Sequence, residues 1–202
     1  MIIGITGGIA SGKSEVCRIL KNNGFNHIDA DIVSHDTLEM PEVITEITST
    51  FGKDVLYESK DSKECPKVDR QKLGKIVFND QKSMALLESI THPYVIDKIK
   101  SIINKKKDKN FVIEAIKIVS SGLIDFCDEL WVVHAEPEQQ IKRMVENRHL
   151  SYEDAYDRLA SQKIHDWDEE KADRIIYSTE PLEIMEKQVL YILKLRNSQS
   201  NK

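Results

Sequence analysis

The chain has 202 residues, enough for one domain or for one domain with an inserted subdomain, and this length needs no disulfide to stabilise it. Apolar residues make up 40% and charged residues 31%, which is typical of a globular protein and excludes a disordered one. A formal net charge of −5 argues against general binding to nucleic acid or to an anionic membrane.

The cysteines Cys17, Cys65 and Cys127 are widely spaced and form no CxxC pair. A disulfide framework or a structural zinc site is therefore not expected, and a reducing compartment fits. The sequence starts without a basic segment or a cleavage pattern, and no apolar run approaches membrane-spanning length. We expect a cytoplasmic protein, a monomer or a weak homo-oligomer, with neither a membrane nor a nucleic acid as partner.

Five short runs rich in Val, Ile and aromatic residues lack polar alternation, which is typical of parallel strands covered on both faces. In chain order these predicted strands are Ile2–Thr6, Phe25–Asp29, Phe111–Glu114, Leu130–His134 and Arg174–Tyr177. Helical patterns lie between them, with proline or a polar cap at their starts and glycine at some of their ends. The predicted helices are Ser14–Asn23, Pro41–Phe51, a long segment capped by Asn79 that breaks or kinks at Pro93 and ends near Lys105, Pro137–Asn147, one capped by Ser151, and Pro181–Arg196.

The alternation of strands and helices predicts an α/β fold with a doubly wound parallel sheet. About 80 residues separate the second predicted strand from the third, far more than one crossover helix requires. The surplus, roughly residues 35–108, should form a helical side lobe, within which the polar stretch 56–68 is expected to be a loop.

The strongest motif is Gly7–Ser14, which matches GxxxxGK[ST] between a predicted strand and a predicted helix. Such glycines let successive backbone N–H groups point at phosphate oxygens, and the helix N-terminus adds positive partial charge. Lys13 would reach the β and γ phosphates, and Ser14 would bind Mg²⁺. The candidate ATP-binding residues are Gly7, Gly8, Ala10, Ser11, Gly12, Lys13, Ser14 and Glu15.

Two acids follow predicted strands at the sheet edge where ligands bind in open α/β folds. Asp31 lies just past the second strand, and Glu114 ends the third. If the third strand lies beside the first, Glu114 comes close to Ser14 and the metal, and Asp31 lies about 10 Å away across two strand spacings. We assign Asp31 to the acceptor and Glu114 to the magnesium shell. A helix cap for Asp31 and an exposed loop for Glu114 are the alternatives.

Arg143 and Arg148 follow the fourth strand and would lie on a mobile lid, where they could meet the charge of a transferring phosphoryl group. A solvated helix face is the alternative for both. His92 precedes Pro93, which biases His92 toward an extended backbone near a helix break. No histidine spacing indicates a metal site, and a structural role is the alternative for His92.

Further motifs succeed one another along the chain. They are Asp29–Asp31 with His35, Val68–Arg70, Leu87–Pro93, Gln140 with Arg143, Leu150–Ser151, Gln162, and Ala172–Asp173. With residues 4–14, this succession resembles the dephospho-CoA kinase family almost from end to end. The phosphate loop is shared by many families, whereas the order and the intervals of the other motifs are specific.

The resemblance implies phosphorylation of the 3′-hydroxyl of dephospho-CoA by ATP with Mg²⁺, which gives coenzyme A. It implies a single P-loop kinase domain over residues 1–202, with a five-stranded parallel sheet, the helical acceptor lobe and a lid at about 137–168. Asp31 would be the base for the acceptor hydroxyl, with Thr6, Arg70 and His92 along the acceptor site. Lys13, Arg143 and Arg148 would serve the phosphoryl group. Another small-molecule or nucleotide kinase, or a degenerate nucleotide-binding protein, is the alternative.

The sequence departs from the family pattern at three places. The family reads Asp-x-Pro-Leu-Leu-Phe-Glu where this chain has Glu114–Ser120, so only the first acid is kept, and Ser178 stands where the family has Asn. Arg148 lies five residues after Arg143 instead of four, which turns its direction by about 100° on a regular helix. We expect the helix to end before Arg148, and the alternative is that Arg148 has lost its role.

Overall fold

The computed structural model describes residues 1–57, 65–106, 109–162, 169–179 and 181–199. The chain divides into two compact units, Met1–Asp29 with Asp108–Lys202, and Ala30–Lys107. The first unit contains the sheet, and the second is helical. The extent of a single kinase domain over 1–202 stays a prediction.

The described part of the chain forms one five-stranded parallel sheet in the order β2-β3-β1-β4-β5. Its strands are β1 (Ile2–Gly7), β2 (Phe25–Asp29), β3 (Asn110–Glu114), β4 (Glu129–His134) and β5 (Arg174–Tyr177). All five predicted strands are confirmed to within one residue at each end. The third strand lies beside the first, as expected, and Glu114 is level with Asp29 on one side and Ile5 on the other.

The helices are α1 (Lys13–Asn22), α2 (Ala30–Thr37), α3 (Pro41–Phe51), α4 (Arg70–Val77), α5 (Gln81–Asn104), α6 (Pro137–Arg148), α7 (Tyr152–Ser161) and α8 (Leu182–Gln199). In the sheet unit, α1 and α8 pack together and bury one core with the strands. Ile3, Ile5, Leu20 and Trp131 are completely buried there. Continuous apolar strands arise because helices cover this sheet.

The lid helices begin and end where the sequence supplies caps. Pro137 occupies the first turn of α6, and His149 ends that helix with a left-handed φ of 53°. The Ser151 hydroxyl accepts a hydrogen bond from the Asp154 N–H, which confirms the predicted cap of α7. The last part of the predicted lid, residues 163–168, lies outside the described residues.

In the helical unit, the predicted cap of α5 is corrected by one residue. Asp80, not Asn79, accepts from the backbone N–H groups of Lys82 and Ser83. The hydrogen bonds from Ser83 lower the pKa of the Asp80 carboxyl. Asn79 instead donates from its side chain to a carbonyl at the end of α4, because an amide can donate where a carboxylate cannot.

Of the break or kink predicted at Pro93, the break is wrong, since α5 continues through the proline to Asn104. A proline inside a helix costs about 3 kcal/mol, so packing must offset that cost. Leu87, Ile90 and Tyr94, on both sides of the proline, pack against the core of the helical unit, and Val95 is buried. These contacts help to keep the chain helical on both sides of the proline.

The two ends of the stretch 56–68, which is predicted to be a loop, pair with each other. Leu56 and Val68 form an isolated antiparallel bridge, and residues 58–64 lie outside the described residues. Among the described residues, no helix combines the length and the hydropathy that crossing a membrane requires.

The edge strand β5 has an unusual neighbour. The side-chain amide of Gln188 on α8 accepts from the Tyr177 N–H at 3.1 Å and donates to the Tyr177 carbonyl at 2.9 Å. This pair of bonds occupies the outward-facing main-chain groups of Tyr177, since the next residue, Ser178, instead bonds inward to His134.

Candidate active site

The phosphate loop follows β1 directly and ends in α1. Gly12 caps that helix with a φ of 104°, and Ala10 adopts a φ of 54°, which is uncommon for a residue with a side chain. A Cβ on Gly7 would lie 2.3 Å from the carbonyl oxygen of Val133 on β4. The glycines are therefore required by close approach as well as by φ.

One buried hydroxyl in this loop finds no partner. Ser11 is 1% exposed, and its Oγ accepts and donates no hydrogen bond within the described part of the chain. Leaving such a group unsatisfied costs about 1–3 kcal/mol. A loop that carries an unsatisfied hydroxyl together with the N-terminus of α1 is suited to bind phosphate oxygens.

Lys13 bonds back to the loop that precedes it. Its Nζ donates to the carbonyl oxygens of Gly7 at 3.0 Å and Gly8 at 2.9 Å. The ammonium group thus lies at the centre of the loop, where it can exchange these carbonyls for phosphate oxygens. By contrast, the Glu15 side chain pairs with Arg18 on the surface of α1.

The predicted contact between Ser14 and Glu114 is confirmed. The Ser14 hydroxyl donates to Glu114 Oε1 at 2.8 Å, because β3 lies beside β1 and Glu114 ends β3 at the edge of the sheet where the phosphate loop follows β1. Glu114 is 8% exposed, so it is not an exposed loop acid. Its other oxygen, Oε2, accepts from His27 Nε2 at 3.1 Å.

This hydrogen bonding keeps Glu114 ionised. Burial by itself raises the pKa of Glu114, but the bonds from His27 and Ser14 outweigh it and the pKa lies below its ordinary value. Cys17, from the next turn of α1, is fully buried beside the same carboxylate. Burial and the charge of Glu114 raise the pKa of the Cys17 thiol far above its ordinary value.

The lid helices fix the phosphate loop through the main chain of one residue, Ile9. Gln140, buried on α6, donates from Nε2 to the Ile9 carbonyl at 2.7 Å. The Ile9 N–H donates to Gln162 Oε1, also at 2.7 Å. A Cβ on Gly8 would lie 2.5 Å from that Gln140 nitrogen, so a larger residue there would displace the Gln140 side chain from its bond to Ile9.

Arg143 also bonds the loop. Its Nη1 donates to the carbonyls of Ala10 at 3.3 Å and Ser11 at 3.1 Å, and to the Ser178 hydroxyl at 2.9 Å. Its Nη2 donates to the Ser178 carbonyl at 3.3 Å. Arg143 is therefore not on a solvated helix face. Ser178, at the position where the family pattern has Asn, is one of the residues that accept hydrogen bonds from the Arg143 guanidinium.

The expectation that α6 ends before Arg148 is wrong. The helix includes Arg148, because the residue with the left-handed conformation that caps the helix is His149, one residue after Arg148. Five residues of helix turn by about 500°, so Arg148 projects about 140° away from Arg143. Arg148 is exposed, which favours the alternative that it has lost the lid role.

In the helical unit, Asp31 lies in the first turn of α2 and is exposed, so it is not that helix's cap. His35 lies four residues later, on the same face of α2. Arg70, the first residue of α4, donates from Nη2 to His35 Nε2 at 2.8 Å. Two predicted acceptor residues, Asp31 and Arg70, thus belong to one row of polar side chains.

His92 and Thr6 complete the predicted acceptor residues. His92 is half-buried in the middle of α5 and has a helical backbone, so the expected extended conformation is wrong for the reason given for Pro93. Thr6 is buried at the end of β1, and its hydroxyl donates to the Ile116 carbonyl at 2.9 Å. That bond joins Thr6 to the segment that departs from the family pattern.

The parallel sheet with β3 beside β1, the GxxxxGKS loop around Lys13, and the acid bonded to Ser14 define a P-loop kinase. A comparison with family models identifies a narrower group. The family model described as dephospho-CoA kinase matches residues 1–182. The chain belongs to the dephospho-CoA kinase family.

Relatives and solved structures agree with this assignment. The chain is 38% identical over 189 residues to a dephospho-CoA kinase of Fusobacterium nucleatum, covering 94% of this chain and 95% of the relative. It is 36% identical over 197 residues to one of Carboxydothermus hydrogenoformans, covering 96% and 93%. A crystal structure of a Thermus thermophilus protein, TT1252, superposes with a TM-score of 0.77 at 25% identity, covering 96% of each chain.

A dephospho-CoA kinase structure from Campylobacter jejuni matches with a TM-score of 0.58 at 30% identity, over 96% of this chain and 95% of that one. A shikimate kinase from Acinetobacter baumannii matches with a TM-score of 0.55 at 16% identity, covering 100% and 95%, and shares the fold. The chain is thus a transferase of the kinase type.

Sequence reasoning did not find His27. It lies two residues before Asp29 on β2, and Asp29 is level with Glu114, so strand register was the signal that could have found it. The role of Gln162 as acceptor for the Ile9 N–H was also missed, since 153 residues separate the partners.

Proposed function

We propose that this chain phosphorylates the 3′-hydroxyl of dephospho-CoA with ATP and so carries out the last step of coenzyme A synthesis. The single observation that carries the phosphoryl-transfer chemistry is the Ser14–Glu114 bond beside the Lys13 loop. Family membership supports the acceptor. We further propose a cytoplasmic monomer or weak homo-oligomer whose partners are ATP and dephospho-CoA.

In this proposal the ATP phosphates lie along the main chain from Gly7 to Glu15. The backbone N–H groups at the start of α1 and the orphaned Ser11 hydroxyl would bind phosphate oxygens. Lys13 would exchange the Gly7 and Gly8 carbonyls for the β and γ phosphates. Arg143 already reaches the loop carbonyls, and it would turn one N–H to the transferring group.

The residues beside the loop fit Mg²⁺. Ser14 and Glu114 offer the hard oxygen donors that this ion prefers, and the lowered pKa keeps Glu114 ionised at neutral pH. When bound with ATP, Mg²⁺ would neutralise charge on the β and γ phosphates. Ser14 would hold it directly, and Glu114 would accept hydrogen bonds from its water shell.

On the acceptor side, we propose Asp31 as the group that accepts the proton of the 3′-hydroxyl or orients that hydroxyl. Arg70, held by His35, would supply positive charge to a phosphate of dephospho-CoA. Thr6 and His92 are proposed as further acceptor contacts. Arg148 stays a proposed lid arginine, although its place on α6 favours a surface role.

An acceptor comparison tests the proposed substrate. Purified protein with ATP and Mg²⁺ is assayed for ADP release with dephospho-CoA, adenosine, AMP and shikimate under one set of conditions. We expect dephospho-CoA to give the highest kcat/KM and its product to be coenzyme A. A higher kcat/KM for any of the other acceptors would refute the assignment.

A pair of substitutions on α2 tests Asp31. Asp31→Asn should lower kcat by about 10²–10⁴-fold and leave ATP binding nearly unchanged, since general-base catalysis contributes about that much. A loose transition state that needs little base catalysis would place the loss at the low end. Asp36→Asn, at an exposed position on the same helix, is the control and should have wild-type kcat. A kcat within about threefold of wild type in Asp31→Asn would remove Asp31 from catalysis.

A kinase for a different acceptor is the second candidate function. The observation in its favour is the segment after β3, where Ala115–Ser120 lacks the proline and the final acid of the family pattern. The bond between Thr6 and Ile116 places this segment next to a proposed acceptor residue. The acceptor comparison distinguishes the two candidates.

A further inference from the structure

Below the phosphate loop, three side chains with different donor atoms come together. Cys17 is on α1, His27 on β2 and Glu114 on β3. The thiol sulfur, an imidazole nitrogen and a carboxylate oxygen all lie within 4.8 Å of one another. They come from positions 10 and 87 residues apart in the sequence, which is why no motif indicates them.

The geometry of this cluster suits a soft divalent cation. A tetrahedral zinc ion with bonds of about 2.0–2.3 Å holds its ligands roughly 3.3–3.8 Å apart. His27 Nε2 and Glu114 Oε2 are already 3.1 Å apart, and because the three ligand atoms lie within 4.8 Å of one another, side-chain shifts of about an ångström would bring the sulfur to ligand spacing. His27 is about one quarter exposed, and this gives an ion a route from solvent.

We propose that Cys17, His27 and Glu114 form a binding site for Zn²⁺ or another thiophilic divalent cation, with water as the fourth ligand. On binding, a metal–sulfur bond replaces the S–H bond of Cys17, and the thiol proton leaves to solvent. His27 gives up its hydrogen bond to Glu114, its ring proton moves from Nε2 to Nδ1 through solvent, and the neutral imidazole coordinates through Nε2. No oxidant or reductant takes part.

This site shares one ligand with the proposed kinase site. Glu114 bonds Ser14 through Oε1 and would bind the soft cation through Oε2. A cation bound there partly neutralises the Glu114 carboxylate, which then accepts weaker hydrogen bonds from the water shell of Mg²⁺ beside Ser14. The soft cation should therefore inhibit phosphoryl transfer, while cations that prefer oxygen ligands should not occupy the site.

Metal binding is measured first, without nucleotide or acceptor, so that the result does not depend on the proposed function. The parent protein carries Cys65→Ser, which removes the exposed thiol. Co²⁺ is the probe, because a thiolate ligand gives it a charge-transfer band and a tetrahedral site gives it intense visible bands. Zn²⁺ is then titrated in to displace Co²⁺ and yields the zinc affinity.

Three substitutions in that parent locate the site. Cys17→Ala should abolish the charge-transfer band, and His27→Gln should weaken zinc binding by at least the roughly 10–100-fold typical of losing a supporting partner. Cys127→Ala, at the partly buried cysteine, is the matched control and should bind as the parent does. His27 is partly exposed, so His27→Gln should fold even if Cys17→Ala does not.

The outcomes are distinct. No band in the parent, or a band that persists in Cys17→Ala, overturns the proposal, as does a zinc affinity unchanged in His27→Gln. In the second stage, kinase activity is measured at fixed excess Mg²⁺ with added Zn²⁺. Zinc should inhibit the parent and Cys127→Ala, and inhibition at equal zinc should be lost in Cys17→Ala; equal inhibition of all three would overturn the link to Glu114.

Discussion

The two sides of the phosphate loop are held by different chemistry. On the lid side, the hydrogen bonds of Gln140, Gln162 and Arg143 go to main-chain groups of the loop rather than to its side chains. On the acid side, Ser14 is bonded by the side chain of Glu114, which His27 holds in turn. The first network holds the backbone conformation of the phosphate loop, and the second holds the negative charge of Glu114 beside Ser14.

This difference predicts different consequences for mutation. Main-chain bonds can be made by any loop sequence that reaches the required shape, so the lid side depends on the backbone shape of the loop, which Gly7 allows by its φ and by its close approach to Val133 on β4. The acid side depends on a particular carboxylate with a lowered pKa. Substitutions on the lid side should therefore change stability and kcat, and those on the acid side should change the metal requirement.

The largest expected effect is on stability, for Gly7→Ala. A Cβ there would lie 2.3 Å from the Val133 carbonyl, at a φ of +147°. Overpacking costs roughly 1–3 kcal/mol, and an unfavourable φ adds about 1–2 kcal/mol. Gly24→Ala, with a φ of +90° and open space around it, is the control for the φ cost alone. Equal losses in the free energy of unfolding for both variants, measured by urea denaturation, would show that the loop yields to the clash.

Arg143→Ala should lower kcat by about 10²–10³-fold, the range found when one donor to developing charge is removed. Its ATP Kd should change much less, since the proposed contact strengthens in the transition state. The comparison is Arg148→Ala on the same helix, which is expected to keep wild-type kcat because that residue projects away. A large kcat loss in Arg148→Ala would restore its lid role.

Glu114→Gln should raise the Mg²⁺ concentration for half-maximal activity by about 10–100-fold, with a smaller change in nucleotide affinity. The amide keeps the shape of the side chain but loses its charge. Glu138→Gln, on the exposed face of α6, is the matched control. Kinetics at limiting Mg²⁺ decide the point, and an unaltered requirement would make Glu114 a structural acid only.

The smallest effect is expected for Gln162→Ala, which removes one acceptor from the Ile9 N–H. The loss of one hydrogen bond lowers the free energy of unfolding by about 1 kcal/mol. Gln139→Ala, on α6 next to Gln140, is the control and should lower the free energy of unfolding less than Gln162→Ala does. If the Gln162 variant binds ATP more tightly than wild type, the lid bonds compete with the nucleotide for the loop.

The sheet was predictable because each strand is a short apolar run, and burial on both faces leaves little alternative for such a run. Ser14 and Glu114 were predicted to meet because strand order and the ends of parallel strands fix that distance. His27 and Cys17 escaped prediction, since their partnership depends on register and side-chain direction, which no local pattern encodes.

Local rules failed at Pro93 and at Arg148, for two different reasons. Pro93 predicts a break on steric grounds, but apolar contacts on both sides of it keep α5 continuous. Arg148 was placed beyond a helix end because asparagine favours such ends, yet His149 provides the cap. At Pro93 the tertiary contacts exceed a local cost of about 3 kcal/mol, whereas at Arg148 the left-handed residue His149 sets the end of the helix.

The bonds from Gln188 to Tyr177 bear on a different property, the behaviour of the protein at high concentration. An unpaired edge strand offers free N–H and C=O groups to any extended chain, and this is a common start of aggregation. Here a side-chain amide from α8 satisfies both groups of Tyr177 as a neighbouring strand would. The sheet therefore ends at β5 without offering that residue as a template, and colloidal stability is partly encoded in one glutamine of the last helix.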